Sequence, residues 1–276
     1  MTYSSLFGKG IKAMQVTWKT PSGKTWKLCD DMLKQDHIVI AGTTGSGKST
    51  LLHSLIYSAL IHSPVKTQFI LIDLKGVELI DYKELPHTIA YADEPDQAIE
   101  ALTYAVNIMR RRLDEMKREH VKSYTGSDVY IIIDEIAVLM QTSKAKTLPL
   151  LADIMRLGRA ARVHVVGATQ NPSRSHGGGL PSEIQNNVTA AIALRTRSAI
   201  ESRQIIGKSG AELLPKVGHG IYWNPDGTEP VTIPQTTDNE LKERINYWKT
   251  ARPERSRTTC QSSNSSPTFW QRVFSC

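Results

Sequence analysis

Gly42-Thr43-Thr44-Gly45-Ser46-Gly47-Lys48-Ser49 fits the pattern G-x-x-x-x-G-K-[ST]. It stands between an apolar run, His37-Ile38-Val39-Ile40-Ala41, and a helix-like run that begins at Thr50. The pattern alone is short, but strand, loop and helix in this order form a phosphate cradle. The three glycines let the chain curl so that successive backbone N–H groups point inward. The N-terminus of the following helix adds partial positive charge at the same place. Gly42 to Thr50 therefore reads as the binding loop for ATP, with Lys48 reaching the β- and γ-phosphates and the Ser49 hydroxyl serving Mg²⁺.

Beyond the loop, Leu51, Leu52, Leu55, Ile56, Ala59 and Leu60 make one apolar helix face that ends at Ser63-Pro64. Gln68-Phe69-Ile70-Leu71-Ile72, closed by Asp73, is continuously apolar, as a strand buried on both faces of a parallel sheet must be. Ile99, Leu102, Val106, Met109, Leu113 and Met116 recur at three and four residues. They predict a long amphipathic helix with Arg110, Arg112, Lys117 and Arg118 on its polar side. Val129 to Ile133 runs into Asp134-Glu135, and Val163 to Ala168 runs into Thr169-Gln170. Further strands are expected at 190–194 and 220–223, with a helix at 199–206. Strands alternating with helices predict an α/β fold with a mostly parallel sheet and active residues at the strands' carboxyl ends. The turn Pro21-Ser22-Gly23 predicts a short β-hairpin before that core.

The chemistry is carried by few residues. A carboxylate that ends a buried strand, Asp134, is placed to hold the Mg²⁺ shell. Glu135 directly after it can orient and deprotonate a water for attack on the γ-phosphate; the plainer reading is that the pair caps the next helix. Gln170 ends another strand, where it would sense the γ-phosphate or would be an ordinary loop residue. Arg156, Arg159 and Arg162 cluster before that strand. One of them could reach a neighbouring subunit's ATP as an arginine finger, or all three could be plain surface residues. The basic faces at Arg110 to Arg112 and at Arg195, Arg197 and Arg203 read as solvated helix faces or as DNA-contacting patches. Ser173 to Leu180 reads as a flexible Gly-rich loop able to follow a phosphate backbone.

Composition sets the outer bounds. A chain of 276 residues with 40% hydrophobic content can build one large α/β core. No apolar run approaches the ~18–20 residues of a membrane span, and Met1 to Ser5 lacks a signal-peptide pattern. A cytoplasmic protein is expected. Cys29, Cys260 and Cys276 make neither a metal spacing nor an even disulfide set. The net charge is +7, of which +3 lies in the segment from Ala251 onward, so the remainder is only mildly basic. This excess suits a polyanionic partner such as nucleic acid.

Over residues 30 to 235 the chain resembles the FtsK/SpoIIIE family of hexameric DNA-pumping ATPases. The resemblance rests on His37 to Ser49, Ile72-Asp73-Leu74-Lys75, Ile133-Asp134-Glu135, Gly158-Arg159-Ala160-Ala161 and Ala168-Thr169-Gln170-Asn171-Pro172. It implies a RecA-like P-loop motor that assembles as a homo-hexamer around double-stranded DNA and hydrolyses ATP at subunit interfaces. On that likeness Arg159 is the residue that matches the trans-acting arginine. The chain departs from the family pattern at Leu74 (Pro is usual), Arg162 (Gly is common) and Asn171 (Arg is usual).

The expected organisation is a β-rich lead-in at 1–36, a motor domain at 37–238, and a C-terminal helix with a disordered basic tail at 239–276. A chain of this length suggests a compact motor without membrane helices or a winged-helix domain. It would move mobile-element or phage DNA in transfer or segregation, and a membrane or relaxase partner is left open. Two alternatives stand beside this reading. One is a protein-secretion motor similar to type VII systems, and the other is a non-hydrolysing, ATP-switched adaptor.

Overall fold

Apolar runs of five to seven residues satisfy both their side chains and their backbone only inside a sheet covered on two faces, and that is how the chain folds. The computed structural model describes residues 18–19, 25–26, 32–60, 62–170, 180–215, 217–233 and 238–250. Two short antiparallel strands, β1 (Trp18–Lys19) and β2 (Thr25–Trp26), form the anticipated hairpin. The central sheet comprises β3 (His37–Ala41), β4 (Thr67–Ile72), β5 (Thr88–Ala92), β6 (Asp128–Ile133), β7 (Val163–Thr169), β8 (Ala190–Leu194), β9 (His219–Asn224) and β10 (Gly227–Thr232). Its spatial order is β10-β9-β8-β3-β7-β6-β4-β5. The six strands from β8 to β5 run parallel, while β9 and β10 close one edge antiparallel.

The helices are α1 (Lys48–Ala59), α2 (Pro95–Glu119), α3 (Ile136–Ala161), α4 (Ser182–Gln185), α5 (Ala199–Ile206) and α6 (Asp238–Thr250). Alternate residues of each strand point to opposite faces, and the two cores divide accordingly. Ile38, Ile40, Phe69, Leu71 and Ile132 pack with Leu51, Leu52 and Ile56 of α1 and with Ile245 and Trp248 of α6. Val39, Ile70, Ile72, Ile131 and Ile133 pack with Leu102, Val106 and Met109 of α2 and with Leu139, Leu151 and Ile154 of α3. The indole N–H of Trp248 donates to the Leu60 carbonyl at 2.8 Å, and the Arg244 guanidinium lies 4.9 Å over the Tyr57 ring. Both contacts fasten α6 to the C-terminal end of α1.

Three findings depart from the sequence reading or add to it. Arg112 is not on the polar face of α2 but buried, donating to the Ala161 carbonyl at 2.8 Å, the Arg162 carbonyl at 3.2 Å and Ser127 Oγ at 2.9 Å. It sits three residues after Met109 and four before Met116, within the buried stripe. Its charge is stabilised there by carbonyls at the negative end of the α3 dipole. β5 and β10 are additional strands at the two edges of the sheet. An edge position explains why β10 tolerates Pro230, which has no N–H to pair. Helix α3 fills the interval between Asp134-Glu135 and β7; it is broken at Ser143 (φ −145°, ψ 24°) and contains Pro149.

Two buried histidines tie the fold to pH. Burial chiefly pushes His37 down to about 3 and His87 down to about 4. His37 Nδ1 accepts the Val165 N–H, and His87 donates Nε2–H to the His62 carbonyl. Both are neutral in the fold and bind a proton in the unfolded chain below about pH 6.5. The unfolded state then holds more protons, so stability falls as pH drops from 6.5 toward 4. Urea unfolding at pH 7, 6 and 5 should show a loss of about 2 kcal/mol per histidine by pH 5; a flat profile would mean that these rings are charged in the fold.

Candidate nucleotide site

The loop after β3 opens where its neighbours lead to different elements, with β8 on one side and β7 on the other. Ligands bind at such crevices beyond the strands' carboxyl ends. Gly45 (φ 74°) and Gly47 (φ 99°) take left-handed backbone that side chains rarely adopt. The Gly42 N–H donates to the Thr169 carbonyl at 3.2 Å and the Thr43 N–H to the Arg195 carbonyl at 2.9 Å, which anchors the loop to both flanking strands. Helix α1 starts at Lys48, two residues earlier than its apolar pattern indicates, and no side chain caps its N-terminus. The first-turn N–H groups lack an intrahelical acceptor, and Ser46 Oγ is buried without a hydrogen-bond partner. An uncapped helix N-terminus, a left-handed glycine loop and an unpaired hydroxyl fit a bound polyphosphate.

The structure brings four of the sequence-selected residues around this loop. Lys48 Nζ donates to Asp134 Oδ1 and to the Asp134 carbonyl, both at 2.9 Å, with Lys48 and Asp134 buried. Glu135 stands at the N-cap position of α3 but makes no capping bond. Its carboxylate instead accepts the Gln170 N–H, at 3.1 Å to Oε1 and 3.0 Å to Oε2. Gln170 Oε1 accepts the Thr44 hydroxyl at 2.9 Å. The phosphate loop, β6 and β7 are thus linked through Thr44, Gln170 and Glu135.

Sequence reasoning singled out the turn after β4 but gave it no role in the site. Asp73 is fully buried, and its carboxylate accepts the N–H groups of Lys75 (3.3 Å), Gly76 (3.0 Å) and Leu79 (2.8 Å). That fixed turn brings Lys75 Nζ to 3.9 Å from Glu135 Oε2 and Glu78 Oε1 to 2.9 Å from Ser49 Oγ. The fully buried Asp at the end of an apolar strand was the available signal. Which side chains its turn would deliver depended on strand order, with β6 lying between β4 and β7.

The arginine cluster lies at the other end of the sheet. Asp36, Asp128 and Arg162 stand at the starts of β3, β6 and β7. A five-residue strand rises on the order of 17 Å, so these residues are remote from their own phosphate loop. They border a cleft of about 780 Å³ that includes Lys34, Arg156, Arg159 and His164. Arg156 pairs with Asp153 at 2.8 Å. Arg159 is 82% exposed and reaches Asp36 at 3.3 Å. Arg162 takes φ 55° at the α3 C-cap, a left-handed position that favours glycine. Its guanidinium forks onto Asp128, which also accepts from His164 Nε2 at 3.1 Å. Burial alone would raise the Asp128 carboxyl, but bonds from His164 and Arg162 outweigh it and hold the group below its ordinary value. Arg110, Arg195, Arg197 and Arg203 are exposed. Asn171 and residues 173–179 of the Gly-rich loop, the three cysteines and the tail from Ala251 lie outside the described residues.

An α/β sheet with an uncapped, Gly-rich loop and an adjacent Lys–Asp pair defines the fold of a P-loop ATPase. Residues 22–131 match the FtsK/SpoIIIE family model. Among curated relatives, DNA translocase FtsK of Treponema pallidum is 36% identical over 74% of this chain, and that of Mycobacterium leprae is 32% identical over 81%. By these matches residues 22–131 are FtsK/SpoIIIE family sequence. The chain spans about 27% and 30% of the length of those two relatives. The fold is shared with the pCW3 conjugation coupling protein TcpA (TM-score 0.70, 21% identity, 87% of this chain and 72% of that one). It is shared too with the Thermomonospora curvata Type VII Secretion ATPase EccC (TM-score 0.72, 22% identity, 97% and 35%). No helix among the described residues is long and apolar enough to cross a membrane.

Gly42 offers a steric test of the cradle. A Cβ there would lie 2.5 Å from Ser46 Oγ and 2.6 Å from Leu194 Cβ, and the latter cannot swing away. Gly42→Ala should destabilise the protein by about 1–3 kcal/mol and weaken nucleotide binding, measured by thermal unfolding and fluorescent-nucleotide titration.

Proposed function

We propose that the chain is the motor of an ATP-driven double-stranded DNA translocase. The observation that carries the ATPase part is the buried Lys48–Asp134 pair beside a Glu135 that leaves its helix uncapped and faces the Gln170 strand. A structural cap would satisfy N–H groups of its own helix; that Glu135 caps no N–H of its own helix supports reading it as the hydrolytic base. Gly42 to Thr50 would hold the phosphates, and Ser49 and Asp134 the Mg²⁺, which neutralises developing charge when bound. Lys48 draws the phosphates inward. Glu135 orients and deprotonates the attacking water, and Gln170, tied to Thr44, registers the state of the loop.

The DNA part is supported by the sequence likeness to FtsK translocases. The likeness to TcpA and EccC concerns the fold, which DNA-linked and protein-secreting ATPases share. The proposed assembly is a homo-hexamer in which Arg159, exposed and far from its own loop, reaches a neighbour's nucleotide. Its movement of mobile-element DNA, its compact three-part organisation and its work in the cytoplasm belong to the same proposal.

Steady-state ATP hydrolysis with and without long linear duplex DNA is the direct test. Turnover should rise with DNA and fall with salt as phosphate contacts release counterions, and Lys48→Ala should abolish it. Glu135→Gln should bind ATP without hydrolysing it, and unchanged turnover would remove the base assignment. DNA-indifferent turnover would favour the secretion reading; binding without turnover in the native chain would favour the adaptor. Arg159→Ala should be inactive alone and regain activity when mixed with Lys48→Ala protein, because each lacks a different half of a shared site; absence of complementation would sink the trans role.

A further inference from the structure

Ser49 Oγ donates its proton to Glu78 Oε1 at 2.9 Å. Hydroxyls inside a helix ordinarily return that proton to a carbonyl one turn back, as Ser54 does to Thr50 at 2.8 Å. Ser49 is the second residue of α1, so no carbonyl of the helix itself lies one turn behind it. Asp134 takes the Lys48 ammonium on Oδ1. The acceptor for Ser49 comes from a separate loop, fixed by three N–H bonds to the buried carboxylate of Asp73. The other oxygen of Glu78 lies 3.6 Å from His53 Nε2, and His53 Nδ1 is 2.7 Å from the Tyr82 hydroxyl. Burial holds His53 below its ordinary value against the pull of Glu78 and Asp81. The ring is therefore neutral near pH 7, which leaves the negative charge of Glu78 uncancelled beside Ser49.

We propose that Glu78 is a positioning residue of the metal subsite: by accepting the Ser49 proton it turns the hydroxyl lone pairs toward a divalent cation. A hydroxyl has one proton and two lone pairs. As a cation ligand it must present a lone pair, so its proton needs an acceptor on the far side. A carboxylate does this best, because the O–H···O⁻ bond is charge-assisted and raises the electron density of the ligating oxygen. The inference rests on the nucleotide reading given above and adds to it a residue from outside the loop and the Asp134-Glu135 pair.

The test is the Mg²⁺ requirement for binding a fluorescent, non-hydrolysable ATP analogue to the full chain. Glu78→Ala should raise the Mg²⁺ concentration for half-maximal tightening about tenfold and leave binding in EDTA unchanged. Glu78→Gln keeps an acceptor oxygen without the charge, and should show a smaller shift. Ser49→Ala and the Ser49→Ala/Glu78→Ala double variant should match each other, since the carboxylate acts through the hydroxyl. Glu78 is on a loop with its side chain 31% exposed, so thermal unfolding should barely move. An unchanged Mg²⁺ requirement in Glu78→Ala with normal analogue binding would overturn this role alone, as would additive shifts in the double variant. No analogue binding by the native chain at any Mg²⁺ concentration would overturn the nucleotide reading and this role with it.

Discussion

The site is organised by one buried pair, Lys48 with Asp134. Lys48 begins α1 at the end of the β3 loop, and Asp134 follows the last residue of β6, with β7 between the two strands. Their contact spans that intervening strand and fixes the phosphate loop relative to β6. Two charges removed from water gain little net stability from each other, but either alone would be costly to bury. The pair therefore persists while nothing else neutralises Lys48, and a polyphosphate supplies an alternative partner of the same sign as Asp134. A site held by such a contact is preorganised without being locked.

Glu135 and Gln170 depend on the same geometry. With Asp134 fixed, Glu135 stands at the β6–α3 junction and spends its acceptor capacity on the Gln170 N–H rather than on its own helix. Gln170 reaches Thr44 in the phosphate loop. The chain of contacts returns to the loop from which it began, so displacement of any member is felt by the others through hydrogen bonds of about 3 Å rather than through bulk packing. Lys75 closes the ring from outside, at 3.9 Å and partly exposed. Screening by water makes that last contact weak, and the backbone N–H of Gln170 is the stronger hold on the carboxylate.

Most of this was legible in the chain. The loop from Gly42 to Ser49, the apolar runs into Asp134 and Gln170, and the helix at 199–206 each follow from local pattern, because glycine-rich turns and buried strands have few alternative meanings. Local pattern failed where tertiary context decided. Arg112 is chemically a surface residue, yet it occupies a buried stripe because the α3 carbonyl end supplies acceptors. Glu78 carried no signal, since its contact with Ser49 arises from the Asp73 turn and from the neighbouring strands, not from sequence spacing. Arg162, at a position where glycine is common in the resembled family, adopts the left-handed backbone that glycine favours. Its bidentate bond to Asp128 offsets the local strain, roughly 1–2 kcal/mol for a residue with a Cβ.

Helix α3 joins the two ends of the molecule. It leaves Glu135 beside the phosphate loop and, after 26 helical residues, finishes with Arg159 and the Arg162 cap at the opposite end of the sheet. A straight helix of that length would span roughly 39 Å, but the non-helical Ser143 interrupts it. Arg112 clamps its far end by donating to the carbonyls of Ala161, its last residue, and Arg162, its C-cap, so the arginine-bearing end is fixed to α2. The near end is held by Ile136 and Leu139, buried against the sheet, and by the bond from the Gln170 N–H to the Glu135 carboxylate. Under the proposed ring arrangement, one helix would carry both the base for its own nucleotide and the arginine for a neighbour's. The break at Ser143 then separates a segment answering to the local site from a segment clamped at the interface. Under that arrangement, coupling between successive sites has its shortest routes along α3 across that interruption and along β6 and β7, whose starts are joined by the Arg162–Asp128 bond and whose ends lead to Asp134 and Gln170.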